Sequence, residues 1–269
     1  MGLGWNMDKP SKFSEKDEKI YARISPALDR FQEAHFWIHG MENAYHSAEI
    51  FRWHLNVFLK AIKEIPNLIS MALQNDEGFN EWFKSIKSDL RNDVLMKTLA
   101  KNRDFVVHQG QLALDSSGSV GITELRGMKL GFSMQINPSE DSDVAMDRYL
   151  WYVAKEEDFF GFLSEDDDSL PCVERTWKIP EFEEELVDLC ASAWAKTGQT
   201  LNDVIQWMGA QQLPFNLNCR HSSNRVRFMM FDSQRIQKTP SGRKQVINCS
   251  CNKFGNGDAL TVWMHNKLR

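Results

Sequence analysis

One decapeptide, Lys101-Asn102-Arg103-Asp104-Phe105-Val106-Val107-His108-Gln109-Gly110, brings together residue types that could do chemistry. Arginine is permanently charged and presents a planar fork of donors that fits a phosphate. Histidine is the side chain that trades protons near neutral pH. An arginine, a carboxylate beside it and a histidine five positions on form a minimal kit for cutting a phosphodiester without a metal ion.

The spacing predicts a helix over 89–109 to carry this kit. Ser88 is the expected N-cap, Asp89 sits in the first turn and Gly110 follows the last residue. At about 100° per residue, Arg103 and His108 lie about 140° apart around the axis. Leu95, Leu99 and Val106 share one side, with Arg103 near its edge, while Leu90, Val94, Phe105 and His108 share roughly the opposite side. A helix apolar on two faces is buried on two faces. The second cover is then another part of this chain or a second copy of it. His108 falls at the helix C-terminus, where the dipole favours the protonated ring. Lys101 and Asn102, directly before the arginine, are the adjoining candidates for substrate contact.

Two helices are expected upstream. Ser25-Pro26 reads as a start with proline in the first turn, and Ala27, Phe31, Ala34, Ile38 and Met41 continue it at helical spacing to about residue 44. Ser47 and Glu49 open the next, lined by Ile50, Trp53, Val57, Phe58, Ala61, Ile62 and Ile65, with Pro66 expected to kink or break it. Arg52 and Asn56 stand one turn apart on this helix. They form either a solvated, locally paired strip or a flank of the Arg103–His108 site, where Asn56 would bond phosphate or orient His108.

Arg-x4-His near a helix end in a helical chain resembles the signature of the HEPN family, and Phe51–Ala61 resembles the second long helix of bacterial HEPN-like proteins. The resemblance spans roughly 26–160. It implies a bundle of four or five helices that dimerises. It also implies one of two activities: a metal-independent endoribonuclease of toxin or antiviral-defence systems, or a non-catalytic RNA-binding or interaction module. In the nuclease reading, paired Arg103/His108 sets meet at a dimer cleft. One His108 takes the 2′-OH proton, the other or water protonates the leaving oxygen, and Arg103 clamps the phosphate. Asp104 pairs with Arg103 or orients the partner's histidine. RNA, a second copy and a neutralising partner protein are the partners implied, with no cofactor.

The bulk numbers agree with a globular chain. Its 269 residues are 42% hydrophobic and 26% charged. No apolar run approaches a membrane span, and the N-terminus lacks a basic region followed by an apolar core. Five cysteines without framework spacing fit reduced thiols, so a cytoplasmic setting is expected. Charge is unevenly distributed. Residues 218–269 hold 10 Lys+Arg against 2 Asp+Glu, while the rest hold 22 against 35. A basic tail of this kind recruits a polyanion or docks on the acidic body.

The expected fold is mainly α: a polar, loosely held segment over 1–25, an antiparallel HEPN-like helical bundle over 26–213, and a basic β-rich module over 214–269. Gly78–Ile86 reads as a short helix. A β-hairpin excursion is expected at 111–137, a helix at 143–160, an acidic loop at 164–169, and a helix from Pro180 to about 211 that Thr197–Thr200 interrupts. Strands at 224–231, 245–251 and 259–264 predict a three-stranded meander. Cys219, His221, Cys249 and Cys251 are a candidate zinc set, against buried unligated thiols and a surface histidine. His35 and His39, one turn apart beside Glu42, have metal-ligand spacing but read as ordinary polar-face histidines. The scattered Trp and Phe read as core.

Overall fold

The computed structural model describes residues 14–108, 113–124, 127–153, 170–212, 217, 223–231, 236–238 and 244–246. The side chains of 105–108 and the residues expected at the zinc set, the acidic loop and the third C-terminal strand lie outside this description.

The described fold is mainly helical, with an antiparallel sheet at one side. Helix α1 (Glu15–Arg23) begins inside the stretch expected to be loosely held. Ser14 and Asp17 form a reciprocal capping box, a Ser-x-x-acid signal legible in the sequence. Helices α2 (Ser25–Asn43) and α3 (Ala48–Leu73) form an antiparallel hairpin. Its contacts run from Gly40 against His54 to Arg30–Glu64 at 3.3 Å, and beyond the hairpin's open end Arg23 of α1 pairs with Asp76 at 2.6 Å. A Cβ at Gly40 would stand 2.8 Å from the His54 ring, so glycine permits this close crossing.

Pro66 does not break α3, which runs on through it to Leu73. Interior proline costs about 3 kcal/mol. Ile62, Ile65, Ile69 and Leu73 are all buried around it, and each is worth about 1.5–3 kcal/mol, so burial wins. The start of α3 is capped from a distance. Ser47 makes no side-chain cap, and Asp141 Oδ1 accepts the Ala48 N–H at 2.6 Å.

Residues 79–108 are two helices, not a short one followed by one over 89–109. Helix α4 (Phe79–Asn92) runs through Ser88, and α5 (Val94–His108) starts afresh. Asp93 makes the break. Its backbone is extended, and its Oδ1 accepts the Met96 N–H at 3.0 Å, a cap worth about 1 kcal/mol. Lys196 pairs with its other oxygen. Leu90 and Val94 therefore sit on different helices. Val94 is 69% exposed and Leu90 is half-buried, so the second apolar face expected from one long helix is not continuous.

Helix α7 (Leu186–Trp207) begins after Glu185, six residues later than Pro180 suggests, because Glu185 accepts the Val187 N–H at 2.7 Å and the Asp188 N–H at 3.3 Å. It passes unbroken through Thr197–Thr200. The two threonine hydroxyls donate back to Ala193 and Lys196 carbonyls, and Gly198 lets α7 meet Phe31 and Leu217, which a Cβ would strike. Phe31 stacks on Trp194 at 4.7 Å and Phe51 on Trp177 at 4.5 Å, so these rings are core, as their spacing suggests.

The hairpin at 111–137 exists as β1 (Asp115–Glu124) and β2 (Gly127–Gln135). It belongs to a larger sheet, in the order β2-β1-β3-β4, through the unforeseen β3 (Pro171–Lys178). The register sets Val120 beside Val173, and this face packs on Ile136 and on Ala145, Met146 and Tyr149 of α6 (Ser142–Val153). The strand expected over 224–231 is a helical turn, α8 (Ser223–Val226), and then β4 (Phe228–Met230), which pairs with β3. The first of the three expected strands is thereby corrected, while 247–269, which hold most of the other two, lie outside the described residues. The remaining described part of this segment is the hairpin of β5 (Ile236–Lys238) and β6 (Lys244–Val246).

Candidate functional site

Helix α5 is anchored by Leu95 and Leu99, which enter the main core, and by Asp93 at its start. Arg103 and Asp104 lie on its last turns. Arg103 Nη1 donates to Asp104 Oδ1 at 3.0 Å, and Lys63 Nζ, from α3, donates to the same oxygen. That ammonium, and then Arg103, hold the Asp104 carboxyl below the usual carboxylate range despite some desolvation. The group is a braced arginine: α3 positions Lys63, Lys63 fixes Asp104, and Asp104 fixes one terminal nitrogen of the fork. Arg103 Nε is buried with no acceptor among the described residues. It is one end of the guanidinium's other bidentate edge.

Of the remaining expected residues, Lys101 is exposed and Asn102 is 8% exposed, so Lys101 faces solvent and Asn102 is withdrawn from it. Asn56 is half-buried on α3, two turns before Lys63 on the same strip. Arg52 Nε donates to the Ala48 carbonyl at 3.3 Å, one turn back on the same helix. His108 closes α5, and its side chain lies outside the described residues. The structure thus joins Arg103, Asp104 and Lys63. Lys63 was not singled out from sequence. Its signal was the polar strip Asn56, Lys60, Lys63 at helical spacing opposite a buried face.

A second polar cluster, unforeseen from sequence, joins sheet to helices. Arg175 on β3 is fully buried, stacked 3.8 Å over Trp177. Its Nε donates to Ser116 at 2.8 Å, Nη1 to the Glu140 carbonyl at 2.8 Å, and Nη2 to the Asn137 carbonyl at 3.3 Å. Burial lowers its guanidinium to about 10. Ser142 donates to His46 Nδ1 at 2.8 Å, and His46 Nε2 donates to the Val226 carbonyl at 2.7 Å. A hydroxyl on an imidazole could be a nucleophile and base, but Ser142 is fully buried, so the pair is a structural joint. Burial pushes His46 down to about 4.

Tyr45 donates to Glu185 at 3.0 Å, and burial pushes the Glu185 carboxyl up to about 7. A raised carboxyl stabilises the fold below the unfolded value of about 4.5 and loses that contribution as pH rises through 7. His46 acts in the opposite sense: its contribution is full above 6.5 and lost as pH falls through 4. Glu185→Gln should therefore gain stability relative to the native chain as pH rises from about 4.5 to 7, by up to about 3 kcal/mol. Urea unfolding of both chains across that window measures it, and a constant difference would refute the buried-acid assignment.

His35 stacks on Trp194 at 4.4 Å, and His39 Nδ1 meets Glu42 at 2.6 Å. No group of three metal-ligating side chains occurs among the described residues, and no described helix is long and apolar enough to cross a membrane. Cys172 and Cys190 are buried free thiols, while Cys219, His221, Cys249 and Cys251 fall outside the description.

Compared with known proteins, residues 24–227 match the profile of the family described as bacteriophage lambda protein ea47. No curated protein and no solved structure matches.

Proposed function

The chain belongs to the bacteriophage lambda Ea47 family, and on the geometry at Arg103 we propose that it is a metal-independent endoribonuclease of HEPN type. The carrying observation is Arg103: one terminal nitrogen is fixed by the Lys63-braced Asp104, while the buried Nε finds no acceptor among the described residues. A buried donor without a partner costs about 1–3 kcal/mol, and a phosphate oxygen would satisfy it.

In this reading Arg103 binds the scissile phosphate and stabilises the charge that grows on it. His108 removes the proton from the ribose 2′-OH. The 2′ oxygen attacks the adjacent phosphorus, the bond to the 5′ oxygen breaks, and that oxygen takes a proton from the second copy's histidine or from water. The products are a 2′,3′-cyclic phosphate and a 5′-OH end. Lys101 guides the RNA backbone, and the basic segment from 218 onward adds affinity through phosphate contacts.

A second reading follows from the same brace. Asp104 already takes charge from both Arg103 and Lys63, which favours a non-catalytic RNA-binding module in which the pair only holds the helix end. Incubation with RNA in EDTA separates the two. Cleavage that persists, by a species that light scattering shows to be a dimer, is the expected result. Binding without cleavage would establish the second reading.

A further inference from the structure

Helices α3, α4 and α5 enclose an open groove of about 400 Å³. Leu59, Ile62, Met96 and Leu99 line it with aliphatic surface, and Lys63, Lys87, Arg91 and Lys97 bring four positive charges to it. No carboxylate lines it among the described residues. Lys63 is committed to Asp104. Lys87 lies 5.2 Å from the Phe83 ring centroid, and neither it nor Arg91 or Lys97 has a carboxylate partner among the described residues. The groove thus gathers cations alone on a body whose residues outside 218–269 carry 35 acidic against 22 basic side chains.

The two properties narrow the occupant. Unpaired cations call for an anionic ligand, and an aliphatic floor calls for one that also buries apolar side chains. No aromatic ring lines the groove, so it offers nothing on which RNA bases could stack. A groove walled by helices accepts a further helix whose apolar residues recur at three- and four-residue spacing. We propose that this groove docks an amphipathic helix of a partner protein, its apolar stripe flanked by Asp and Glu. The assignment stands independently of RNA cleavage at Arg103. Through Lys63 it also reaches that site, because a carboxylate arriving at Lys63 competes with Asp104 for the ammonium that braces the arginine.

The test presents the full-length protein to a displayed library of random peptides long enough for about four helical turns. Counter-selection uses the double variant Lys87→Glu, Arg91→Glu, whose fold is checked by circular dichroism. Peptides kept by the native chain and refused by the variant are synthesised with a fluorescent label and measured by polarisation. The proposal expects them to be rich in Asp and Glu with apolar residues at helical spacing. It expects affinity to fall at least about tenfold in the variant and to weaken with salt. Replacing their acidic residues with lysine should abolish binding. Peptides without acidic excess, or none that distinguish the two proteins, would overturn it. So would a single-stranded RNA or an anionic vesicle that binds the native chain and not the variant while no peptide does.

Discussion

Replacing His108 with alanine is expected to slow RNA cleavage by about 10²–10⁴-fold, the usual cost of losing one proton-transfer group. Fold and assembly should survive, because α5 is held by Leu95, Leu99 and the Asp93 cap rather than by its last residue. Arg103→Ala should lose a comparable factor and also weaken RNA binding, since the phosphate clamp acts before and during the chemical step. Arg103→Lys should recover little. A lysine keeps the charge but cannot bond Asp104 through one nitrogen while presenting a second, fixed edge to phosphate. Single-turnover cleavage and binding of one labelled RNA by the three variants separates these effects. Native rates from His108→Ala would remove that residue from the mechanism.

Arg175→Ala is expected to cost about 4 kcal/mol or more. It leaves the Glu140 and Asn137 carbonyls without their donor, at about 1–3 kcal/mol each, and opens a cavity over Trp177. Relief of the desolvation of a buried charge offsets part of this. For a chain of this size the loss lowers the melting temperature by roughly 10 °C. Arg175→Met is the sharper variant, because it fills the volume without the donors. Thermal unfolding of Arg175→Met indistinguishable from native would show that desolvation cancels the bonds, and that the guanidinium does not hold sheet to helices.

The sequence made some of this legible and hid the rest for identifiable reasons. Helices α2 and α3 were readable because Pro26, and then Ala27, Phe31, Ala34, Ile38 and Met41, report a local pattern that burial reinforces. The hairpin at 111–137 was readable from its glycines and alternation. Strand β3 was not, because Arg175 occupies an inward position between Val173 and Trp177 and disguises a buried face as a charged stretch. The break at Asp93 hid inside Asp89-Leu-Arg-Asn-Asp93, where every residue tolerates a helix and the cap shows only in the turn geometry. Pro66 does not end α3 because local propensity loses to the core around it. At the site, Arg103 and Asp104 were visible as neighbours in sequence. Lys63 was not, because 41 positions separate it from Asp104 and only the packing of α3 on α5 brings them together.

The chemistry of the cut ends tests the nuclease reading most directly. RNA incubated with the native chain in EDTA, beside the same RNA carrying a single 2′-deoxy sugar at the cut position, is resolved by mass spectrometry. The account predicts 2′,3′-cyclic phosphate and 5′-OH ends from the first RNA and no cut at the substituted position of the second. Cleavage of both, 5′-phosphate ends, or activity that vanishes in EDTA would contradict it.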